Sequence, residues 1–419
     1  MSNAQNIEKQ RLPLAPYRVL DLTDESGVFC TKILAALGAD VIKIEPPGGD
    51  PTRRIGPFYH DDPDPGKSLH WFTYNLNKKS ITLNLERASG RELFQRLART
   101  AHFIVECFRP GHLDALGLGY PEVNAINPGI VFTSITPWGS TGPHSKSKGS
   151  NLVVSAASGF LHLCGDEDGP PVQIATPMAY VQTGLEAAAA TMVAHTCRQR
   201  TGRGQHVDVS AQESLMGQIV PPILWRRSLH LVPYRTRMGA LARGRPVLMD
   251  LFPTRDGWVV CHTTYDRGRK PLREWLAGEG MAGDLFDKKW DAIFLEAAVV
   301  SREEKEHIDD LFRAFAARHT KDELMWGAQE RGIQIAKVNG VEDVMNDAHL
   351  RERDYFVSVE HPELGGSILY AGAPFKSDGM AWRYSRRAPF VGEHNAEIYG
   401  KELGLSTEDM VALKEGGVI

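Results

Sequence analysis

Residues 17–23 read YRVLDLT, and residues 24–27, which follow directly, read DESG. The first stretch alternates apolar and polar residues and the second consists of turn-forming residues, so together they predict a β-strand that ends in a turn. We expect a helix from Val28 to Leu37, closed by Gly38 in the left-handed conformation, and a second strand from Val41 to Ile44. A short strand–helix–strand unit with apolar strands indicates a parallel sheet covered by helices.

The same pattern repeats along the first half of the chain. Further strands are predicted over residues 80–85, 103–106, 130–135 and 206–210, and further helices over residues 90–100 and 180–200. In the alanine-rich helix 180–200 we expect the face that carries Leu185, Ala189 and Val193 to be buried. Alternating strands and helices are typical of a doubly wound, Rossmann-like α/β domain, in which ligands bind beyond the carboxyl ends of the strands.

The character of the chain changes near residue 219. The stretch 221–246 begins with two prolines, is basic and irregular, and predicts a linker. A smaller α+β domain is predicted over residues 247–339, and within it the sequence FPTRDGW at 252–258 predicts the turn of a β-hairpin. Residues 340–419 predict surface helices and edge strands.

The composition of the 419-residue chain is that of an ordinary globular protein, with 42% hydrophobic and 24% charged residues. The formal net charge of −4 excludes a protein that binds nucleic acid through bulk positive charge. No apolar run approaches the ~18 residues of a membrane span, and the polar start of the chain lacks the apolar core of a signal peptide. Five widely separated cysteines indicate reduced thiols rather than a zinc site. We therefore expect a soluble, cytoplasmic protein without a metal or a membrane partner.

Two segments carry residues that suit an anionic ligand. Residues 48–54 read GGDPTRR and lack the glycine spacing of a phosphate-binding loop. We interpret them as a surface turn in which Arg53 or Arg54 faces a substrate carboxylate. The sequence FRPG at 108–111 directly follows a predicted strand. Its aromatic ring and its guanidinium would suit the adenine and a phosphate of a nucleotide. A rigid turn without a ligand would explain the same four residues equally well. Two short basic clusters fit either a solvated surface or a polyphosphate: residues 77–80 and residues 146–148.

A set of short motifs, in their order and spacing, resembles the family III CoA-transferases, the group that includes formyl-CoA transferase. The motifs are GADVIKIE at 38–45, NKKSI at 77–81, FRPG at 108–111, TGRGQ at 201–205, FPTRDG at 252–257 and HPELG at 361–365. The resemblance covers nearly the whole chain. It implies a large doubly wound domain built from residues 1–220 and the return segment 340–419, with the small domain between them. It also implies that two subunits form an interlocked ring dimer.

The resemblance further implies that the chain binds coenzyme A, as a CoA or acyl-CoA thioester, without a metal. The positions that match the family's CoA contacts are Leu83, Phe108, Arg109, Gly111, Leu116 and Lys148. An aromatic and apolar slot with nearby cations agrees with the chemistry that the residues themselves predict. Arg53 and Arg54 remain the candidates for the substrate carboxylate.

One position departs from the family pattern. Family members attack the thioester with an aspartate that lies four residues before a glycine, ahead of the alanine-rich helix. Here the glycine is Gly184 and the residue four places earlier is Tyr180, whose phenol cannot form the mixed anhydride that a carboxylate forms. Glu25 lies in the neighbourhood where the family often lines its active site.

With this departure, the resemblance implies a CoA-transferase subunit that moves CoA between carboxylic acids but lacks the nucleophilic aspartate, and that is inactive alone. Its partners are a CoA thioester, a carboxylic acid and a second chain, in a homodimer or in a heterodimer with a paralogue that keeps the aspartate. Two alternatives stay open. One is an acyl-CoA isomerase, lyase or hydratase with Tyr180 or Glu25 as general acid or base, and the other is a CoA-binding pseudoenzyme.

Overall fold

The computed structural model describes residues 12–166, 169–219, 223, 234–236, 239–241, 248–263, 266–295 and 301–419. The strands are β1 (Arg18–Leu22), β2 (Asp40–Glu45), β3 (Lys79–Thr82), β4 (Phe103–Glu106), β5 (Val131–Thr136), β6 (Gln205–Ser210), β7 (Tyr234–Thr236), β8 (Gly239–Leu241), β9 (Met249–Thr254), β10 (Gly257–His262), β11 (Ile335–Lys337), β12 (Phe356–His361) and β13 (Gly366–Ala371). The helices are α1 (Val28–Ala36), α2 (Leu69–Tyr74), α3 (Ala88–Ala98), α4 (His112–Ala115), α5 (Tyr120–Ile126), α6 (Asn151–Ala157), α7 (Met178–Thr201), α8 (Ala211–Met216), α9 (Asp266–Gly278), α10 (Asp291–Leu295), α11 (Arg302–Ala316), α12 (Lys321–Glu330), α13 (Val341–Met345), α14 (Ala348–Glu352) and α15 (Thr407–Glu415).

The chain divides into two compact units. The first comprises Met1–Ser158, Ala175–Gly217 and Ala348–Ile419, and the second comprises Gly159–Ile174 and Gln218–Asp347. This division differs from the predicted bounds, because residues 159–174 join the second unit and the chain returns to the first unit at Ala348. The predicted linker 221–246 lies outside the described residues except for Ile223 and the short strands β7 and β8.

The first unit is built on a six-stranded parallel sheet with the strand order β3-β2-β1-β4-β5-β6. This is the strand order of the Rossmann fold. The order reverses between β1 and β4, and at such a switch point ligands bind beyond the carboxyl ends of the strands. The register pairs Leu22 at the end of β1 with Glu106 at the end of β4. The predicted doubly wound α/β fold is therefore confirmed.

Helices cover both faces of this sheet. Leu20 of β1 and Ile42 of β2 pack in one core with α3 and with Tyr399, which lies near the end of the chain. Val19 and Val41, the neighbouring residues, pack in a second core with α1 and α7. Because both faces are buried, the strands consist of apolar runs. The two ends of the chain contribute to a single core.

The long helix α7 packs through small residues rather than through its large apolar residues. Its buried residues are Ala179, Thr183, Gly184, Ala187, Ala188, Thr191, Ala194 and His195. A Cβ on Gly184 would lie 2.8 Å from the Cβ of Phe29 in α1, so the two helices approach too closely for a side chain. Leu185 and Val193 are 45% and 65% exposed. The prediction that the Leu185 face is buried is therefore wrong for the single chain, because close packing selects the small-residue face.

The second unit contains a small antiparallel sheet with the strand order β11-β10-β9. Strands β9 and β10 form the predicted hairpin, with Thr254 opposite Gly257 across the turn. Phe252 of β9 packs edge-to-face on Phe312 of α11, with ring centroids 4.7 Å apart, and this contact lies in the core of the unit. The unit is thus α+β, as the sequence predicts.

Candidate active site

Two loops meet at the switch point of the parallel sheet. Residues 24–27 connect β1 to α1, and residues 107–111 connect β4 to α4. A Cβ on Gly27 would lie 2.4 Å from the Sγ atom of Cys107, so the two loops are in direct contact. The crevice that these loops form is the place where a doubly wound sheet binds its ligand.

Tyr180 lies in the first turn of α7, next to this crevice. It precedes Gly184 by four residues, so both residues lie on the same side of the helix. Gly184 contacts Phe29, and a Cβ there would lie 3.1 Å from the backbone nitrogen of Cys30 in the first turn of α1. The side of α7 that carries Tyr180 therefore faces the start of α1.

The surroundings of Tyr180 keep its phenol neutral. The backbone N–H of Asn151 donates a hydrogen bond to the phenol oxygen, and the carboxylates of Glu25 and Asp24 act on it electrostatically. Burial, and then the negative charge of Glu25, raises the pKa of Tyr180 to about 12. Partial burial, and then the charge of Asp24, also raises the pKa of Glu25. The phenol of Tyr180 and the carboxylate of Glu25 are therefore close enough to interact electrostatically.

Three of the predicted CoA contacts lie together on the loop after β4. Phe108 is half-buried, and its ring centroid lies 4.8 Å from that of His112. Arg109 is exposed. Gly111 has a φ of 85°, and no atom lies within 4 Å of the position of a Cβ, so its backbone is open to a ligand. An aromatic ring, a guanidinium and an open backbone at the end of a parallel strand fit an adenosine phosphate.

The other predicted CoA contacts are not part of this group. Leu83 is 2% exposed in the apolar core, and its backbone N–H donates to the carbonyl oxygen of Glu45 at 2.7 Å. Leu116 packs against the same core. The geometry thus argues against a CoA contact through the side chain of Leu83, because that side chain is buried in the apolar core and cannot reach a ligand at the surface. Lys148 is exposed on the loop after β5 and stays a prediction.

Arg53 has a structural role. It is 2% exposed, donates to Glu45 at 2.7 Å and to the carbonyl oxygen of Pro389 at 3.0 Å, and lies 3.6 Å from the ring centroid of Trp71. These contacts occupy the guanidinium, which corrects the prediction that it faces a substrate carboxylate. The reason is that residues 51–54 form a helical turn that directs Arg53 into the core. Arg54 is exposed and stays a candidate.

A network of buried charges lies under the crevice. Asp21 of β1 accepts hydrogen bonds from Lys78 at 2.8 Å and from Thr31 at 2.7 Å, and Lys43 lies 3.8 Å away. Burial alone would raise the pKa of Asp21, but the two ammonium groups hold it well below its usual range. Lys78 belongs to the basic cluster 77–80, and it balances a buried carboxylate instead of facing a polyphosphate.

Glu106 is an ionisable residue of this region that sequence reasoning missed. It is the last residue of β4, is 6% exposed, and accepts the backbone N–H of Phe108 at 2.6 Å. It lines a cavity of about 320 Å³ beyond β4 and β5, which also touches the loop that carries Arg109. Burial raises the pKa of Glu106 to about 7. The signal in the sequence is a carboxylate that ends a strand of otherwise apolar residues, Phe103–Glu106.

We predict that Glu106→Gln removes a pH dependence of stability. The Glu106 carboxyl titrates at 4.5 when exposed and at about 7 in the folded protein, which therefore binds the proton more tightly. The stabilisation from this proton is fully present below pH 4.5 and is lost as the pH rises through about 7, with a total of about 3 kcal/mol. Urea unfolding at pH 5 and pH 8 measures the loss in the wild type and its absence in Glu106→Gln.

The exposed glutamate of α5 provides the control for this measurement. Glu122→Gln should leave the pH dependence of the wild type unchanged, because Glu122 is exposed. An identical pH dependence in the wild type and in Glu106→Gln would refute the assignment.

Two further kinds of reactive group, clusters of metal ligands and thiols, bear on the chemistry of the crevice. Among the residues that the structure describes, no group of three or more His, Cys, Asp or Glu side chains could hold a metal ion. Cys107 is a free thiol at the crevice, but burial raises its pKa well above the usual value, so it is a poor nucleophile. Within the described ranges, no helix has the length and apolar character needed to cross a membrane.

Comparisons with known proteins agree with this geometry. The sequence profile of CoA-transferase family III matches residues 14–395. The chain is 34% identical over 390 residues to the succinyl-CoA:(R)-benzylsuccinate CoA-transferase subunit BbsE of Thauera aromatica, covering 91% of this chain and 92% of that protein. It is 29% identical over 420 residues to the succinyl-CoA–L-malate CoA-transferase beta subunit of Chloroflexus aurantiacus, covering 97% and 98%. A solved structure of a CAIB/BAIF family protein from Brucella suis superposes with a TM-score of 0.80 at 26% identity, covering 93% of this chain and 99% of that one. The chain belongs to CoA-transferase family III.

Proposed function

We propose that this chain is the subunit without the nucleophilic aspartate in a heteromeric CoA-transferase, which moves CoA from a thioester to a carboxylic acid. The observation that carries the proposal is the neutral phenol of Tyr180 in the first turn of α7, where the family pattern places an aspartate. Two of the similar proteins, those from Thauera aromatica and Chloroflexus aurantiacus, carry names that describe them as subunits of CoA-transferases. A paralogue of this chain would then supply the aspartate.

A phenol cannot replace the aspartate, for reasons of chemistry. The carboxylate attacks the thioester carbonyl carbon, the C–S bond breaks, and a mixed anhydride forms as the CoA thiolate leaves. The thiolate then attacks the carboxyl carbon of the aspartate and releases the acyl group as a carboxylate. With a pKa of about 12, only about 1 in 10⁵ of the Tyr180 side chains is ionised at pH 7. Its product would be an aryl ester, and the phenol has no carbonyl carbon of its own to receive the thiolate.

The crevice retains groups that suit CoA. Phe108, Arg109 and the open backbone of Gly111 lie at the carboxyl end of β4, where a doubly wound sheet binds nucleotides. We assign to them the adenosine and phosphate end of CoA. Tyr180 and Glu25 then form one wall beside the thioester end. In this arrangement the chain binds a CoA thioester without completing the transfer.

Exposed apolar side chains on two helices of the first unit support assembly with a second chain. Leu185 and Val193 of α7 are 45% and 65% exposed, and Leu152 and Val153 of α6 are 49% and 45% exposed. Large apolar residues that are exposed on neighbouring helices mark an interaction surface. We assign this surface to an interlocked dimer, either of two identical chains or with the paralogue that carries the aspartate.

Reconstitution tests this proposal. The chain alone should bind CoA in a calorimetric titration but should transfer no CoA from succinyl-CoA, the donor in the relatives' names, to a panel of dicarboxylates. Co-expression with a paralogue that has aspartate at the position of Tyr180 should give a stable complex and transfer. An Asp→Asn change in the paralogue should abolish that transfer. Transfer by the isolated chain, or the absence of CoA binding, would contradict the proposal.

One observation favours a second candidate, acid–base chemistry on an acyl-CoA as in an isomerase, lyase or hydratase. Glu25 and Tyr180 interact electrostatically, and both have a raised pKa, as paired acid–base groups often do. In this case the isolated chain would exchange an acyl-CoA proton for deuterium in D₂O, and Glu25→Gln would abolish the exchange. CoA binding without exchange, and without activity in any complex, would indicate a pseudoenzyme.

A further inference from the structure

A half-buried lysine on α1 holds a positive charge that no carboxylate balances. The Nζ atom of Lys32 lies 5.7 Å from the ring centroid of Phe29 and 5.4 Å from that of Tyr74 in α2. In the described part of the chain, no Asp or Glu forms an ion pair with this ammonium, and the charge that acts on it is that of another cation, Lys78. Burial, and then Lys78, lowers the pKa of Lys32 to about 8. The two rings attract the cation only weakly, so a bound anion would stabilise it.

His70 provides an independent sign of a missing partner. It lies one turn before Tyr74 on α2, and the centroids of the two rings are 4.7 Å apart. Its Nε2 atom is buried without a hydrogen-bond partner among the described residues. Native proteins rarely leave such an atom unpaired. Lys32 and His70 thus lie against the same aromatic ring, and each lacks a partner that a ligand would supply.

These two groups lie beside the wall of the crevice that carries Tyr180. The ring of Phe29 packs edge-to-face on that of Tyr74, with centroids 6.1 Å apart. The Cβ atom of Phe29 packs against Gly184, which follows Tyr180 by one turn of α7. Phe29 therefore separates Tyr180 from Lys32, and an acyl group that extends past Phe29 from a thioester beside Tyr180 meets the ammonium.

The missing partners define the class of ligand. We propose that Lys32 and His70 bind the distal carboxylate of a dicarboxylic acyl group, such as the succinyl group of succinyl-CoA. A carboxylate supplies the negative charge that Lys32 lacks and an oxygen that accepts the N–H of His70. The two aromatic rings suit the methylene groups that precede this carboxylate. The inference rests on the proposed function, which places the thioester beside Tyr180, and it names the substrate class.

Calorimetric titration of the full chain with succinyl-CoA and butyryl-CoA tests the site. The two thioesters differ only in the carboxylate or methyl group at the end of the acyl chain. Succinyl-CoA should bind at least about tenfold more tightly, because butyryl-CoA leaves the buried nitrogen groups unpaired. Lys32→Met should reduce this ratio to about one without lowering stability, since it removes a charge that has no partner. Lys32→Arg keeps the charge and should retain most of the preference.

Lys79→Met is the matched control, since it makes the same change at another half-buried lysine. The ammonium of Lys79 already has two carboxylate partners, Asp40 at 3.0 Å and Glu397 at 2.9 Å. The change should lower stability slightly and leave the preference for succinyl-CoA intact. Equal binding of the two thioesters by the wild type, an unchanged ratio in Lys32→Met, or loss of the preference in Lys79→Met would overturn the proposal.

Proton uptake by the wild type gives a second measurement that needs no variant. At pH 8 about half of the Lys32 amines are neutral, and a carboxylate beside them raises their pKa. Succinyl-CoA should therefore bind with uptake of up to roughly half a proton, and butyryl-CoA with none. His70 should contribute little, because burial lowers its pKa against the opposing charge of Asp50. Titrations in two buffers of different ionisation enthalpy measure the uptake, and equal uptake with both thioesters would contradict the site.

The free acids separate this inference from the proposed function. The wild type should bind succinate more tightly than butyrate, and Lys32→Met should lose that difference, because neither acid needs a CoA site. Succinate binding that depends on Lys32, without binding of either thioester, would support this site and contradict the proposed function. Binding of both thioesters without a preference that depends on Lys32 would overturn this site and leave the proposed function standing.

Discussion

Asp21→Asn is expected to lower the free energy of unfolding of the first unit by about 3–5 kcal/mol. The change leaves the ammonium of Lys78, which is fully buried, without its negative partner at 2.8 Å. Its remaining contacts, Thr31 and Asn75, supply neutral oxygens only. Lys43 is less affected, because its ammonium also pairs with the carboxylate of Asp50 at 3.0 Å. Urea unfolding followed by circular dichroism at pH 7 measures the loss.

Asp40→Asn is the matched control for this prediction. Asp40 also pairs with two cations, Arg18 at 2.8 Å and Lys79 at 3.0 Å, but its side chain is 29% exposed. Because water screens these pairs, the control should cost less than about 1 kcal/mol. Adding Lys78→Met to Asp21→Asn should recover part of the lost stability, since no buried cation is then left unpaired. Equal effects of the two single changes would contradict a special role for the buried pair.

The fold was predictable because its signals are local in the sequence. The strand β1, the turn at 24–27 and the glycine that ends α1 each act within a few residues, and Gly38 has a φ of 100° as its position requires. Repeated apolar runs separated by helices then indicate a parallel sheet with two covered faces. The strand order agrees with this inference.

The site was only partly predictable, because the partners of charged residues are distant in sequence. Arg53 and Lys78 both lie in motifs that look solvent-exposed, yet folding brings them to Glu45 and Asp21, and Lys78 is 57 residues from its partner. The periodicity of α7 shows a stripe of large apolar residues, but it does not show which side of the helix other elements cover. Burial of the small-residue stripe depends on the close approach of α1 at Gly184, a tertiary property.

Tyr180→Asp is expected to convert the isolated chain into one that forms a covalent CoA adduct. Residue 180 is the third residue of α7, where free backbone N–H groups and the helix dipole favour an anion. The N–H of Asn151, which now donates to the phenol, adds a further donor. The carboxylate can then attack an acyl-CoA and exchange its acyl group for the CoA thiolate, leaving an aspartyl-CoA thioester and a free carboxylic acid. Intact-protein mass spectrometry after incubation with succinyl-CoA should detect a mass increase of one CoA less one water.

The adduct should rise from undetectable in the wild type to roughly a tenth or more of the chains in Tyr180→Asp. Tyr180→Phe and Tyr180→Asn are the controls, because neither side chain can form an anhydride, and neither should gain an adduct. The adduct should be sensitive to hydroxylamine, which cleaves thioesters. If Tyr180→Asp folds and binds CoA as tightly as Tyr180→Phe but forms no adduct, then position 180 does not face the thioester. The nucleophile position of the family would in that case lie elsewhere in this chain.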